Sequence, residues 1–226
     1  MSTPKSTPKK FTRPPTAQQA VLAELRRAIL EGDLEPGSQL IQETVAERLG
    51  VSRVPVREAM RILQGEGQIS YTPHRGYFVT ELSLDELEEI RRIRELLEEE
   101  AVVKAMPNLR DEDVAVMAEA YQEMELAGAD GDIAAMNAAH TRFHFALLSA
   151  SGMTRLIRIL RQLWDAADPY RAVYHGEEAS RRAAQKQHAA LLRAAKQRDT
   201  ERAIKILHDH RQQTIDRLRG ALDKHK

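Results

Sequence analysis

Between Thr16 and Val79, glycine and proline cut the chain into pieces too short for any long element, and the period of the apolar residues changes from piece to piece. Ala17, Val21, Leu25, Ala28 and Ile29 recur at three- and four-residue spacing, which predicts an amphipathic helix from Thr16 to Glu31, stopped by Gly32. Leu34-Glu35-Pro36-Gly37-Ser38 is turn chemistry, and a short helix follows through Val45, Ala46 and Leu49 to Gly50. Ser52 is placed to cap a third helix running to about Gly65, with Pro55 in its first turn, where a missing N–H costs nothing. Ile69-Ser70-Tyr71 and Tyr77-Phe78-Val79 are β-prone, and Thr72-Pro73-His74-Arg75-Gly76 joins them as a hairpin. Three helices and a hairpin, with the four-residue turn Leu49 to Ser52 between the second and third helices, are the plan of a winged helix-turn-helix.

From Leu84 onward the pattern is helical throughout, with helices expected near 84–105, 111–128, 132–150, 153–174, 177–197 and 200–222. Breaks fall at Pro107-Asn108, Gly128 to Gly131, Ser151-Gly152, His175-Gly176 and Asp199-Thr200. Six such helices suffice for an antiparallel bundle with an interior cavity. The expected fold is therefore mainly α: a mobile basic arm (1–15), a winged helix-turn-helix domain (16–80, its helix-turn-helix at about 42–61), a hinge-like linker (81–84) and an all-α bundle (85–222). The arm, MSTPKSTPKKFTRPP, can touch nucleic acid or merely confer solubility.

With 226 residues, 42% of them hydrophobic, two cores can form. There is no cysteine, which excludes disulfides, thiolate metal sites and cysteine nucleophiles and suits a reducing compartment. No apolar run approaches the roughly 20 residues of a membrane span, and the start of the chain has no signal-peptide core. A cytoplasmic protein without a membrane partner is expected. Net charge is zero, which argues against a general coat for nucleic acid, yet the charge is unevenly spread. Residues 1–80 hold 11 basic and 8 acidic side chains, and the remainder 23 and 26, as expected when one module alone meets phosphate.

A third helix of this plan enters the major groove and offers its N-terminal residues to base edges. Here those residues are Ser52, Arg53, Pro55 and Arg57, followed by Arg61. Arg53 and Arg57 lie one turn apart and share a face; each can bind guanine or a phosphate. The tip His74-Arg75-Gly76 is basic and tight, as suits a wing along the minor groove. The runs LEPGSQL, AERLGVSRVPVREAM and HRGYFV resemble the winged helix-turn-helix of the GntR family. Two residues depart from its pattern: Gln68 replaces an apolar residue, and Glu43 stands where some members place a DNA-contacting arginine.

In the helical region His140 and His144 lie one turn apart, His188 is in the fifth helix and His210 in the sixth; His208 cannot share the face of His210. Imidazoles donated by several bundle helices can converge on one divalent transition metal, zinc or similar, one ion per chain. Residues from about 84 to 222, through RFHFALLSASG and QHAALLRAAKQRDTERAIKILHDH, resemble the FCD ligand-binding domain of the FadR-like branch. The resemblance implies that His144, His188 and His210 hold the metal and puts His140 where metal-containing members have a carboxylate or amide. Either His140 is a fourth neutral ligand, leaving the ion's charge uncompensated, or three histidines leave open positions for water and effector. Arg94, placed by the same resemblance before Leu97-Glu98, either faces the cavity and binds an effector carboxylate or forms a surface ion pair. Trp164 and Tyr170 read as packing residues.

The function expected is a homodimeric, sequence-specific transcription regulator on a pseudo-palindromic operator. By family likeness it is a repressor released by a small organic acid. Effector binding must favour one of two domain arrangements. A metal-dependent hydrolase would need a general base beside the metal, and no HExxH motif occurs. A constitutive or architectural DNA-binding protein is the alternative if the bundle has neither cavity nor metal.

Overall fold

The computed structural model describes residues 14–81, 83–168, 170 and 178–222. The expected arm therefore lies outside the described residues except for its last two prolines. So do Leu82 of the expected linker and the expected break at His175-Gly176.

The chain is mainly α, as its periodicity predicts. The first domain contains α1 (Ala17–Glu31), β1 (Gln39–Leu40), α2 (Gln42–Leu49), α3 (Arg53–Gly65), β2 (Ile69–Thr72) and β3 (Gly76–Val79). Thr16 and Gln19 close a reciprocal capping box on α1, and left-handed Gly32 and Gly50 end α1 and α2. Ser52 stands at the N-cap of α3, but the expected cap bond is not made. The third helical residue is Pro55, so one of the two N–H groups that a capping hydroxyl uses does not exist. The sheet has three antiparallel strands in the order β1-β3-β2, not a bare hairpin. β1 sets Gln39 opposite Phe78 and Leu40 opposite Tyr77; two residues are too few to leave an alternating pattern in the sequence. Val21, Leu25, Ile29, Val56, Met60, Leu63 and Val79 form the core of this domain.

The second domain contains α4 (Leu84–Ala105), a single 3₁₀ turn at Met106–Asn108, α5 (Asp111–Asp130), α6 (Ile133–Ser149), α7 (Thr154–Ala166), α8 (Glu178–Gln197) and α9 (Thr200–Leu222). Gly128 does not break α5, which runs to Asp130 and ends on left-handed Gly131. A Cβ at Gly128 would lie 3.4 Å from the Met136 sulfur, so the glycine serves the close packing of α5 on α6. Phe143, Leu147 and Leu148 of α6 and Leu160 and Trp164 of α7 anchor the core. None of the described helices is long and apolar enough to cross a membrane.

The two domains are in direct contact. Left-handed Gly67 sits against Ala166, and the buried Gln68 side chain donates through Nε2 to Asp168 Oδ2 at 3.4 Å. That bond explains why a polar residue occupies position 68. The place is buried, but it faces a carboxylate of the other domain. Ser83 accepts from the Glu86 backbone N–H at the start of α4, and Tyr170 Oη lies 3.1 Å from both the backbone N and O of Ser83. Tyr170 thus packs as expected and also holds the described end of the linker.

Candidate nucleic-acid interface and metal centre

Helix α3 is two-faced. Val56, Ala59, Met60 and Leu63 are buried against the first domain's core, which turns Arg53, Val54, Arg57, Glu58 and Arg61 outward. Ser52 is exposed at its start and Pro55 is partly so. Val54, at 50% exposure, escaped sequence reasoning because a lone valine has no electrostatic signal; on this face it suits a thymine methyl group. At the wing, His74 and Gly76 take positive φ values of 63° and 91°, which closes the turn tightly. Gln39 of β1 donates to the Arg75 carbonyl at 2.5 Å and fastens the wing tip to the sheet. The Arg75 guanidinium carbon lies 5.2 Å from the centroid of the Phe78 ring.

In the bundle, candidate ligand nitrogens of His140, His144, His188 and His210 all lie within 4.8 Å of one another. His140, His144 and His188 are buried; His210 is part-buried. Nε2 of His144 and Nε2 of His188 stand 3.1 Å apart. Two ligands of a tetrahedral zinc would be about 3.3 Å apart. Nδ1 of His210 is 2.7 Å from Gln187 Oε1, an outer partner of the kind that fixes a ligand's tautomer and leaves its other nitrogen inward. Burial, with Arg94 and Arg211 nearby, pushes the His210 pKa down to about 4, so the ring is neutral at pH 7, as a ligand must be. The donor set therefore fits a borderline transition metal. His208 is turned away and exposed, with Nδ1 2.7 Å from Glu95.

The His210 shift has a consequence for stability. Between about pH 4 and 6.5 the unfolded imidazole takes up a proton that the folded one refuses, so acidification through this window should lower the thermal midpoint of the metal-free chain. A His210→Gln variant should lose part of that slope.

Beside the cluster is a cavity lined by Arg91, Arg94 and Glu98 of α4, His140 and His144 of α6, Trp164 of α7, and His210 and Arg211 of α9, with Leu87, Leu207 and Ile215 as its apolar side. Glu98 is its electrostatic centre. One oxygen accepts from Trp164 Nε1 at 2.8 Å and Arg94 Nε at 2.9 Å, and the other accepts from Arg211. Burial alone would raise the Glu98 pKa, but Arg94, Arg211 and the indole hydrogen bond outweigh it and hold the carboxyl below its usual range. Arg94 also lies over the Trp164 ring, its guanidinium carbon 4.2 Å from the centroid.

A model of bacterial regulatory proteins of the gntR family matches residues 17–79, and a model of the FCD domain matches residues 89–213. The chain belongs to the GntR family. The HTH-type transcriptional regulator McbR of Escherichia coli (strain K12) is 33% identical over 196 residues, 85% of this chain and 88% of McbR. The Nta operon transcriptional regulator of Aminobacter aminovorans is 29% identical over 193 residues, 83% of this chain and 89% of that regulator. Among solved structures, E. coli McbR/YncC has a TM-score of 0.79 at 31% identity, covering 92% of this chain and 99% of its own. A GntR regulator from Rhodococcus sp. RHA1 has a TM-score of 0.73 at 25% identity, covering 90% and 98%. This GntR protein is thus a DNA-binding transcription regulator with an FCD domain, not an enzyme.

In this GntR chain the structure gathers the four histidines and Arg94 into one region. It also separates the two readings of Arg94 and adds to that of Trp164. Arg94 forms no surface ion pair, since its side chain is 15% exposed and its partner Glu98 is buried. Trp164 packs as expected but also lines the cavity and donates to Glu98, because its indole N–H needs an acceptor once buried. Glu98 and Arg211 were missed as site residues. The sequence signals, Glu98 four residues after Arg94 and Arg211 next to His210, are common among surface residues of charged helices.

Proposed function

We propose that this regulator is a repressor that binds a pseudo-palindromic operator as a homodimer and releases it when a small organic anion enters the FCD-domain cavity beside a divalent transition metal. One observation carries the reading: His140, His144 and His210 share a cavity wall with three arginines, Arg91, Arg94 and Arg211, and only one carboxylate, Glu98. Four neutral imidazoles would leave the charge of a bound ion uncancelled, and Glu98 offsets only one of its two guanidiniums. An anion is the ligand such a wall favours, with Arg94 and Arg211 available to its carboxylate oxygens. When bound, the metal would supply a Lewis-acidic centre for a further oxygen.

A path to the DNA-binding domain supports the regulatory part of the reading. Trp164 lines the cavity and Asp168, one turn further along, meets Gln68 of the winged domain. A ligand that shifts α7 would bias the contact between domains. For the dimer, Ile93, Leu96 and Val103 lie exposed on one face of α4, as an association surface requires.

The test is a thermal-shift screen of metal-loaded protein against small mono- and dicarboxylic acids. A true effector at a hundredfold excess over Kd should raise the midpoint by about 5–10 °C and then release labelled operator. Failure of every acid to do either would reject the reading. On the DNA side, Arg57→Ala should weaken operator binding by roughly tenfold or more with the unfolding midpoint unchanged, measured by fluorescence anisotropy. Unaltered affinity would remove α3 from the groove.

A further inference from the structure

Arg53, the first residue of α3, is not alone. Oε1 of Glu43, the second residue of α2, lies 2.8 Å from its Nη1, and both side chains are well exposed, at 54% and 68%. Glu43 is therefore an acid at the edge of the surface offered to a polyanion, where charge alone would favour its absence. A carboxylate in that place has to serve something other than affinity.

We infer that Glu43 is a positioning residue for base readout: it holds the Arg53 guanidinium so that its remaining donor edge meets guanine, and it withholds that arginine from phosphates. The inference rests on the placement of Arg53 in the groove. A guanidinium has five N–H donors in a planar fork, so Glu43 can occupy Nη1 while another pair stays free for O6 and N7 of a guanine. Arginine is otherwise a long, freely rotating chain, and fixing it before binding reduces the ordering that binding requires. At longer range the carboxylate cancels most of the attraction of Arg53 for phosphate. Binding to arbitrary sequence weakens, while the short-range contact with guanine is kept, so discrimination rises through loss of the wrong complexes.

The test uses the full-length protein, a library of duplexes with random cores, and four chains: wild type, Glu43→Gln, Arg53→Ala and the double variant. Both residues are exposed, so all four should unfold at the same midpoint. Wild type should prefer guanine at one position of each half-site by roughly tenfold or more. In Glu43→Gln that preference should fall to about twofold, other positions should keep theirs, and affinity for a duplex of arbitrary sequence should rise by about threefold or more. The double variant should show the base preferences of Arg53→Ala. If Arg53→Ala changes nothing, the placement of Arg53 in the groove fails, and the inference with it. If Arg53→Ala weakens all sequences evenly, Arg53 meets a phosphate and the inference is overturned. If Glu43→Gln raises affinity evenly and leaves every preference intact while Arg53→Ala removes one, Glu43 is only a charge: the inference is overturned and the interface stands.

Discussion

Glu98→Ala is expected to destabilise the protein by about 3–5 kcal/mol, read as a drop in the urea midpoint or a fall of about 10 °C in the thermal midpoint. The carboxylate is buried and receives three donors, Arg94, Arg211 and the Trp164 indole. Its removal leaves two guanidiniums facing each other in the cavity wall and takes the Glu98 acceptor from the indole N–H. An ion network of this kind adds little net stability compared with apolar packing, but removing one member exposes the full cost of the others' desolvation. A Glu98→Leu, Arg211→Met double variant should therefore be more stable than Glu98→Ala. Glu98 itself should make the chain acid-sensitive. Its folded pKa lies below the ordinary value, so its contribution is complete above the unfolded carboxyl pKa and is lost as pH falls through the folded one. A loss under about 1 kcal/mol in Glu98→Ala would mean that solvent already reaches the guanidiniums.

Protein purified without an immobilised-nickel step should carry about one transition-metal ion per chain by elemental analysis. His144→Ala and His188→Ala should each abolish this, because their Nε2 atoms, 3.1 Å apart, have about the spacing of two ligands on one ion. Chelation should lower the thermal midpoint, and excess zinc should restore it; at a thousandfold excess over Kd, the ion contributes about 4 kcal/mol to the folded state. His140→Asp should keep the metal but weaken the response to an anionic effector, since a carboxylate cancels part of the ion's charge. Absence of metal even after zinc addition would eliminate the centre and send the anion reading back to the arginines alone.

Much of this molecule was legible in local order. The apolar spacing in Ala17 to Ile29, the glycines at 32 and 50, and the turn between α2 and α3 act within a few residues of themselves, so they appear in the sequence at full strength. The same holds for the basic face of α3, because the residues that bury its other face are only a turn away. Gly128 misled because a glycine inside a helix and one that ends it look alike until the neighbouring helix is in place. Ser52 misled because the absent donor belongs to Pro55, three residues later.

By itself, then, the sequence determined the two-domain helical architecture and the face of α3, which depend on spacing within single elements; of the four candidate histidines, spacing pairs only His140 with His144, and the family resemblance supplied the set. Only the tertiary structure decided what those elements share. It placed Arg94, Trp164 and Arg211 around the Glu98 carboxylate, set Gln68 against Asp168 across the domains, and brought Glu43 to Arg53. These contacts join residues up to 113 positions apart. Charge pairing at that range depends on distance and desolvation in three dimensions, and neither is written in the order of residues along the chain.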